Sequence, residues 1–166
     1  MPAAIRAFYS YMACAFSHTA LEPVEHRWTW GQYFGPPSTD GAWFDLYRHM
    51  LIHELDGSRL LLAQAAPRPW LAHGERIEIE RAPTWYGPLS FTIESRIAAG
   101  QIIAEIDLAA APRPRTLLVR PRHPEGKPIC SATVNGTSWP RFDRARQWIE
   151  IPEPAAGHYA LVAYYD

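Results

Sequence analysis

The hydrophobic period of the chain changes at Asp56-Gly57, and this change restricts the fold more than any other feature of the sequence. After this turn dipeptide, apolar and polar residues alternate, as Leu89, Phe91 and Ile93 do with the polar residues between them. A period of two places successive side chains on opposite faces of a strand, whereas a helix repeats every 3.6 residues. The second part of the chain is therefore expected to form β-structure.

Segments with this alternation, or with a short apolar run, recur after residue 57 and are separated by turn signals. They are 59–64, 76–81, 89–97, 101–107, 116–120, 129–134, 147–151 and 159–165. Asn135-Gly136 is a strong signal for a type I′ hairpin. Short strands with a turn every 8–12 residues or so are typical of sandwiches and barrels. We predict a mainly β fold, an antiparallel β-sandwich of about eight strands, for the domain 58–166.

Two helices are predicted before the turn, at 3–17 and 41–53, so residues 1–57 form a short helical segment. In the first, Phe8, Tyr9 and Met12 fall at helical spacing, and the opposite side is hardly polar. A helix that is apolar almost all round is normally buried in a larger body. Its expected partners are the helices of a longer protein or a second copy of the chain.

The stretch Glu25–Trp43 carries aromatic, glycine and proline residues in a density that is unusual for a core element. Aromatic rings can stack on sugar rings, and Tyr and Trp also offer a polar edge. Trp28, Trp30 and Tyr33, with Glu25 and His26 beside them, are therefore the candidate carbohydrate-binding residues. The alternative is that the rings pack between the helices and the sandwich, and that the polar pair hydrogen-bonds within the loop.

Charge and composition exclude several partners. The net charge is −1 and the basic residues are scattered, so the sequence does not predict nucleic-acid binding. No apolar run reaches the roughly 20 residues that span a bilayer, so no membrane insertion is predicted. The first residues do not form a secretory signal, which leaves the compartment unknown, with the cytoplasm as one option.

No cofactor and no metal are predicted. The glycines lack the spacing of a phosphate-binding loop, and the Cys and His residues lack the spacing of a zinc site. His18, Glu22 and His26 would need a continuous helix to act as ligands, which Pro23 interrupts. Cys14 and Cys130 are expected to be buried free thiols, with a disulfide as the alternative.

Two further motifs favour structural roles. Trp85-Tyr86-Gly87-Pro88 is predicted to be a packed corner of the sandwich. The segment 123–127, His-Pro-Glu-Gly-Lys, is predicted to be a solvated turn between strands.

Three long stretches resemble one family when they are taken together: "VEHRWTWGQYFGPPSTDGAWFDLYRHML" (24–51), "PRPWLAHGERIEIERAPTWYGPLSFTIES" (67–95) and "RHPEGKPICSATVNGTSW" (122–139). They are similar to the C-terminal end of six-hairpin glycosidase-like proteins, bacterial glycoside hydrolases or their relatives. In these proteins an α/α toroid precedes a β-sandwich. The resemblance implies that residues 1–57 are the last toroid helices and 58–166 the C-terminal sandwich.

The resemblance also implies what this chain does not contain. Most of the toroid is absent, and the catalytic carboxylates of such toroids come largely from loops of earlier hairpins, so no catalytic residue is assigned. The predicted function is that of a non-catalytic region that supports the toroid and adds an aromatic loop for carbohydrate binding. The alternatives are an autonomous carbohydrate-binding module and a ligand-free, homo-oligomeric interaction domain.

Overall fold

A computed structural model of the chain describes residues 3–15 and 37–166. The chain divides into two compact units, Met1–Met50 and Leu51–Asp166. Each unit is described by itself.

The first unit contains two helices, α1 (Ala3–Ala15) and α2 (Pro37–Leu51). Phe8 of α1 is buried, and its ring stacks on Trp43 with 5.2 Å between centroids and 17° between planes. Both predicted helices are confirmed over the described residues, but α2 starts earlier than expected, because proline suits the first turn of a helix. Neither described helix is long and apolar enough to cross a membrane.

The second unit is built from short strands. They are β1 (Ile52–Leu55), β2 (Arg59–Leu62), β3 (Arg76–Thr84), β4 (Gly87–Arg96), β5 (Gln101–Leu108), β6 (Thr116–Val119), β7 (Ser131–Val134), β8 (Thr137–Ser138), β9 (Phe142–Asp143), β10 (Trp148–Pro152) and β11 (Gly157–Tyr164). Every predicted strand is confirmed, and β1, β8 and β9 are additional.

The strands form two sheets, which makes the fold a β-sandwich preceded by a short helical segment, as predicted. The orders are β1-β2-β6-β10-β9 in a five-stranded sheet and β3-β4-β5-β11-β7-β8 in a six-stranded sheet. Neighbouring strands are antiparallel except β2 and β6, which run parallel. The parallel pair departs from the purely antiparallel prediction.

Strand β1 replaces the predicted end of the second helix. Its residues pair with β2, with Ile52 opposite Leu62. The Asp56-Gly57 turn joins the two strands, and both of its residues have positive φ, 51° and 66°. Two positive φ values match the twist of a tight hairpin, so this turn dipeptide closes a β-hairpin and does not simply end a helix.

The core lies between the sheets and is formed by the inward residue of each alternating pair. Its fully buried members include Leu60, Leu62, Ile93, Ile102, Ile106, Leu117, Ile149 and Leu161. Burying one such side chain contributes about 1.5–3 kcal/mol relative to leaving it exposed. The opposite residues of the same strands therefore form the two outer faces of the sandwich.

Two turns fix the register of the six-stranded sheet. Asn135 and Gly136, with φ of 49° and 75°, join β7 to β8 as the sequence predicted. Gly100, with φ of 70°, joins β4 to β5, and a Cβ there would lie 2.7 Å from the carbonyl oxygen of Tyr165. That close approach is possible only for glycine.

Candidate functional site

The predicted carbohydrate-binding residues all lie outside the described part of the chain. Glu25, His26, Trp28, Trp30 and Tyr33 fall within residues 16–36, between the two described ranges. Their role stays a prediction. The candidate site that the described residues do form is in the sandwich.

A groove of about 510 Å³ lies on the outer face of the five-stranded sheet. Leu61, Leu118 and Trp148, from three different strands, contribute its apolar surface. The other lining residues are mostly charged, and they are Arg59, Pro140, Arg141, Phe142, Asp143, Arg146 and Glu150. The volume is within the range of about 300–1,000 Å³ that small-molecule sites occupy.

Strand alternation explains why an aromatic ring and a carboxylate reach this face together. Ile149 and Ile151 of β10 are buried in the core. Because alternate residues of a strand point to opposite faces, Trp148 and Glu150 lie on the outer face. The same parity places Leu118 of β6 beside them, directly opposite Glu150 in the register.

The charged groups of the groove are only partly paired. Asp143 accepts the backbone N–H of Arg146 at 2.8 Å, and its carboxylate lies 3.9 Å from Nε of that arginine. Arg59 donates from Nε to Asp56 at 3.0 Å, and this contact holds the pKa of the aspartate below its usual value. Asp143 and Arg146 thus pair within the groove, and Arg59 pairs with Asp56.

Two charged side chains of the groove are available for a ligand. Within residues 3–15 and 37–166, the guanidinium of Arg141 and the carboxylate of Glu150 have no hydrogen bond or ion pair. A free guanidinium and a free carboxylate beside an indole ring can bind polar groups from two sides of a flat ligand.

Arg120 holds the ring of Trp148 in place. Its guanidinium carbon lies 5.1 Å from the ring centroid, a cation–π geometry that contributes about 0.5–2 kcal/mol. The same guanidinium donates to the carbonyl oxygens of Arg146 at 3.0 Å and Gln64 at 2.7 Å. Burial, and then the positive charge of Arg68, lower the pKa of Arg120.

Two more arginines lie behind Arg120, and we call Arg68, Arg120 and Arg122 the arginine cluster. Arg122 is only 5% exposed and donates to the carbonyl oxygen of Ala66 at 2.9 Å. Its Nε has no hydrogen-bond acceptor among the described residues. Burial, followed by the charges of Arg120 and Arg68, lowers the pKa of Arg122 to about 10.

Arg68 joins the cluster to the neighbouring loops. It donates to the carbonyl oxygen of His123 and, at 3.0 Å, to the side-chain oxygen of Gln147. Burial lowers its pKa. Among the described residues, the arginine cluster donates to carbonyl and amide oxygens, which are neutral acceptors.

The predicted solvated turn at 123–127 is wrong at its first residue. His123 is buried, its Nδ1 accepts the backbone N–H of Glu125 at 3.0 Å, and its ring meets Tyr165 edge-on at 5.1 Å. Burial, and then the charge of Lys127, lower the pKa of His123. The ring is a packed, uncharged anchor, and only the rest of the turn is solvated.

The Trp85–Pro88 corner is packed at one residue and open at the other. Tyr86 is buried, whereas Trp85 is 64% exposed. The backbone N–H of Trp85 donates to the carboxylate of Glu54, and that of Tyr86 donates to the Thr84 hydroxyl at 3.0 Å. The corner therefore presents an indole ring from a backbone that Glu54 and Thr84 hold in place.

Metal ligands and thiols offer no second site in the described ranges. There, no group of three or more His, Cys, Asp or Glu residues could hold a metal ion. Cys130 is a free thiol, and it is partly exposed where a buried one was expected. Its Sγ lies 2.9 Å from a carboxylate oxygen of Asp166, which raises the pKa of the thiol.

Sequence reasoning missed the groove and the arginine cluster. The parity of β10 is visible in the sequence, because Ile149 and Ile151 are apolar and Trp148 and Glu150 alternate with them. That signal places the indole on the outer face. No local signal shows that Arg68 meets residues that lie more than fifty positions away.

Comparison with known proteins gives no assignment by sequence. No family model and no curated protein matches the chain. A solved structure described as a glycoside hydrolase is similar to it, with 13% identity and a TM-score of 0.43, over 98% of this chain and 28% of that one. The chain thus spans little more than a quarter of that protein. Similarity at this level does not establish a shared fold, so we derive the function from the residues of the groove.

Proposed function

We propose that the β-sandwich is a non-catalytic carbohydrate-binding module whose site is the groove on the five-stranded sheet. The observation that carries the proposal is the position of Trp148 beside the unpaired side chains of Arg141 and Glu150. Indole rings bind the apolar face of a sugar ring, while nearby charged groups hydrogen-bond its hydroxyls. The partner of this chain is therefore a carbohydrate.

Affinity electrophoresis in gels that contain soluble polysaccharides tests the proposal. A retarded wild-type chain and a Trp148→Ala variant with affinity reduced by about tenfold are expected, because stacking of one aromatic ring contributes about 1 kcal/mol or more. Trp85→Ala is the matched control, since it removes an exposed indole from another part of the sandwich. Equal retardation of wild type and Trp148→Ala, or equal weakening by both variants, would contradict a site in the groove.

The predicted aromatic loop is proposed as a carbohydrate-binding surface in its own right. Trp28, Trp30 and Tyr33 would stack on sugar rings, and Glu25 and His26 would bind hydroxyls. Trp30→Ala should then weaken binding further when it is combined with Trp148→Ala. Unchanged affinity of the double variant relative to Trp148→Ala would contradict carbohydrate binding by the loop.

A supporting role for the helical segment is the second candidate, favoured by apolar surface on α2. Phe44 is 69% exposed and Leu46 is 41% exposed. We propose that residues 1–57 are the last toroid helices of a glycoside-hydrolase-like protein and 58–166 its C-terminal sandwich, so that toroid helices cover this surface.

Sedimentation velocity tests whether toroid helices or a second copy of the chain cover the apolar surface of α2. If a second copy covers Phe44, the chain should form a dimer that Phe44→Asp dissociates. A monomer whose sedimentation is unchanged by Phe44→Asp supports cover by toroid helices. Arg48→Asp, on the same helix α2 as Phe44, is the control. Phe142→Asp would not serve, because the ring of Phe142 packs on the core of the sandwich.

A further inference from the structure

We infer that the groove selects anionic glycans, meaning saccharides that carry carboxylate or sulfate groups. The inference rests on the proposed carbohydrate-binding role and adds the charge of the ligand. It follows from the distribution of charge on and behind the five-stranded sheet.

The surroundings of the groove hold an excess of positive charge although the chain as a whole does not. The net charge of the chain is −1. The lining itself is balanced, because Arg59 pairs with Asp56, Arg146 faces Asp143, and Arg141 and Glu150 have opposite charges, so the excess comes from the arginine cluster. Asp143 already faces Arg146, so Arg141 is the basic group left to meet a ligand.

The arginine cluster adds positive charge at the indole ring through Arg120. Arg120 lies against Trp148 and donates to the carbonyl oxygen of Arg146, which itself lines the groove. Arg68 and Arg122 are close enough to Arg120 for their charges to act on one another. Fixed charges that neutral carbonyls hold, in a partly desolvated setting, create a positive potential at the adjacent surface.

The chemistry of the free groups matches a carboxylate or a sulfate. A guanidinium presents two parallel N–H donors, which fit the two oxygens of such an anion better than a single hydroxyl. With a sugar ring on Trp148, Arg141 is the candidate partner of the acidic substituent. Glu150 opposes this binding, because its unpaired carboxylate would repel the same substituent.

A matched pair of polymers tests the charge selectivity. Polygalacturonate and its fully methyl-esterified form share one backbone and differ in the charge of the carboxyl groups, and carboxymethyl- and hydroxyethyl-cellulose form a second pair. Titration calorimetry with the intact chain should show binding to the charged member that is about threefold to fivefold tighter, as expected for one exposed ion pair. Added salt should reduce that advantage, because it screens exposed charges.

Two variants with opposite expected effects sharpen the test. Arg141→Gln should weaken binding to the charged polymer several-fold and binding to the neutral one less, because the amide keeps a donor for sugar hydroxyls but loses the charge. Glu150→Gln should tighten binding to the charged polymer, because it removes the repelling carboxylate. The amide of the glutamine keeps an oxygen that accepts from sugar hydroxyls, so a Glu150→Gln variant with weaker binding to the charged polymer would show that repulsion by Glu150 is not the dominant effect.

The possible outcomes distinguish a failure of charge selectivity from a failure of the carbohydrate-binding function. Equal or tighter binding of the neutral members, with Glu150→Gln weakening it, overturns charge selectivity and leaves the carbohydrate-binding function intact. No binding of either pair overturns both. Equally tight binding of a single-stranded oligothymidylate to wild type and Trp148→Ala would mark a general anion surface and overturn the inference.

Discussion

Charged side chains are paired to different extents on the two outer faces of the sandwich. On the six-stranded sheet, charged residues pair with neighbours of opposite sign: Arg76 with Glu78 at 2.7 Å and Arg96 with Glu94 at 2.7 Å. On the five-stranded sheet, Arg141 and Glu150 lack such partners among the described residues, and the arginines behind them bond to carbonyl oxygens.

His158 is a further paired group on the six-stranded face. Its Nε2 lies 2.6 Å from Glu105 and its Nδ1 lies 2.9 Å from Asp107. These paired groups offer little to a ligand, because a new contact to any of them must first break an existing one. Unpaired groups next to an indole ring carry no such cost, which is why we assign binding to the five-stranded face.

The largest expected effect is the loss of stability when a core residue is truncated. It tests whether the two sheets share one core. Ile106→Ala and Ile149→Ala each remove a fully buried side chain, one from each sheet. Each should lower the free energy of unfolding by about 2–5 kcal/mol, through lost burial and the cavity left behind. Urea denaturation followed by tryptophan fluorescence and by circular dichroism measures this loss.

A shared core also predicts one cooperative transition in both variants. Coincident curves from the two probes would show it. Two separate transitions, or a loss confined to one variant, would mean that the sheets unfold independently and that their faces belong to separate bodies.

A smaller effect contrasts a buried arginine with an exposed one. Arg122→Ala leaves the carbonyl oxygen of Ala66 without its donor and should cost about 1–3 kcal/mol of unfolding free energy. Arg76→Ala, on the six-stranded face, removes an exposed pair with Glu78 and should cost less than about 1 kcal/mol. Equal costs in urea denaturation would show that the arginine cluster is no more constrained than an ordinary surface pair.

Local patterns in the sequence were sufficient for most strands and insufficient for three of them. β8 and β9 contain two residues each, which is too short for any alternation to show. In β1, Ile52 continues the apolar spacing of the preceding helix, and only pairing with β2 makes it a strand. Pairing between distant segments also decides the parallel arrangement of β2 and β6.

The candidate site was less predictable than the fold for a related reason. The position of Trp148 on an outer face follows from local alternation. The grouping of Arg68 with Arg120 and Arg122 depends on loops that meet only after the sheets have formed. The burial of His123 depends in the same way on Tyr165, at the other end of the domain.

The smallest expected effect is the pH dependence of the stability that His158 contributes on the six-stranded face. Hydrogen bonds to Asp107 and Glu105 raise the pKa of His158 above its usual value. The protonated ring therefore stabilises the fold fully below the unfolded pKa of about 6.5, and this stabilisation is lost as the pH rises through the higher folded value. Because the three side chains are exposed, the loss should stay below about 1 kcal/mol. An NMR titration of the imidazole should show the raised pKa, lowered in Asp107→Asn and unchanged in Glu78→Gln. An unshifted pKa in the wild-type chain would mean that this face is not matched internally, and the contrast with the groove would lose its basis.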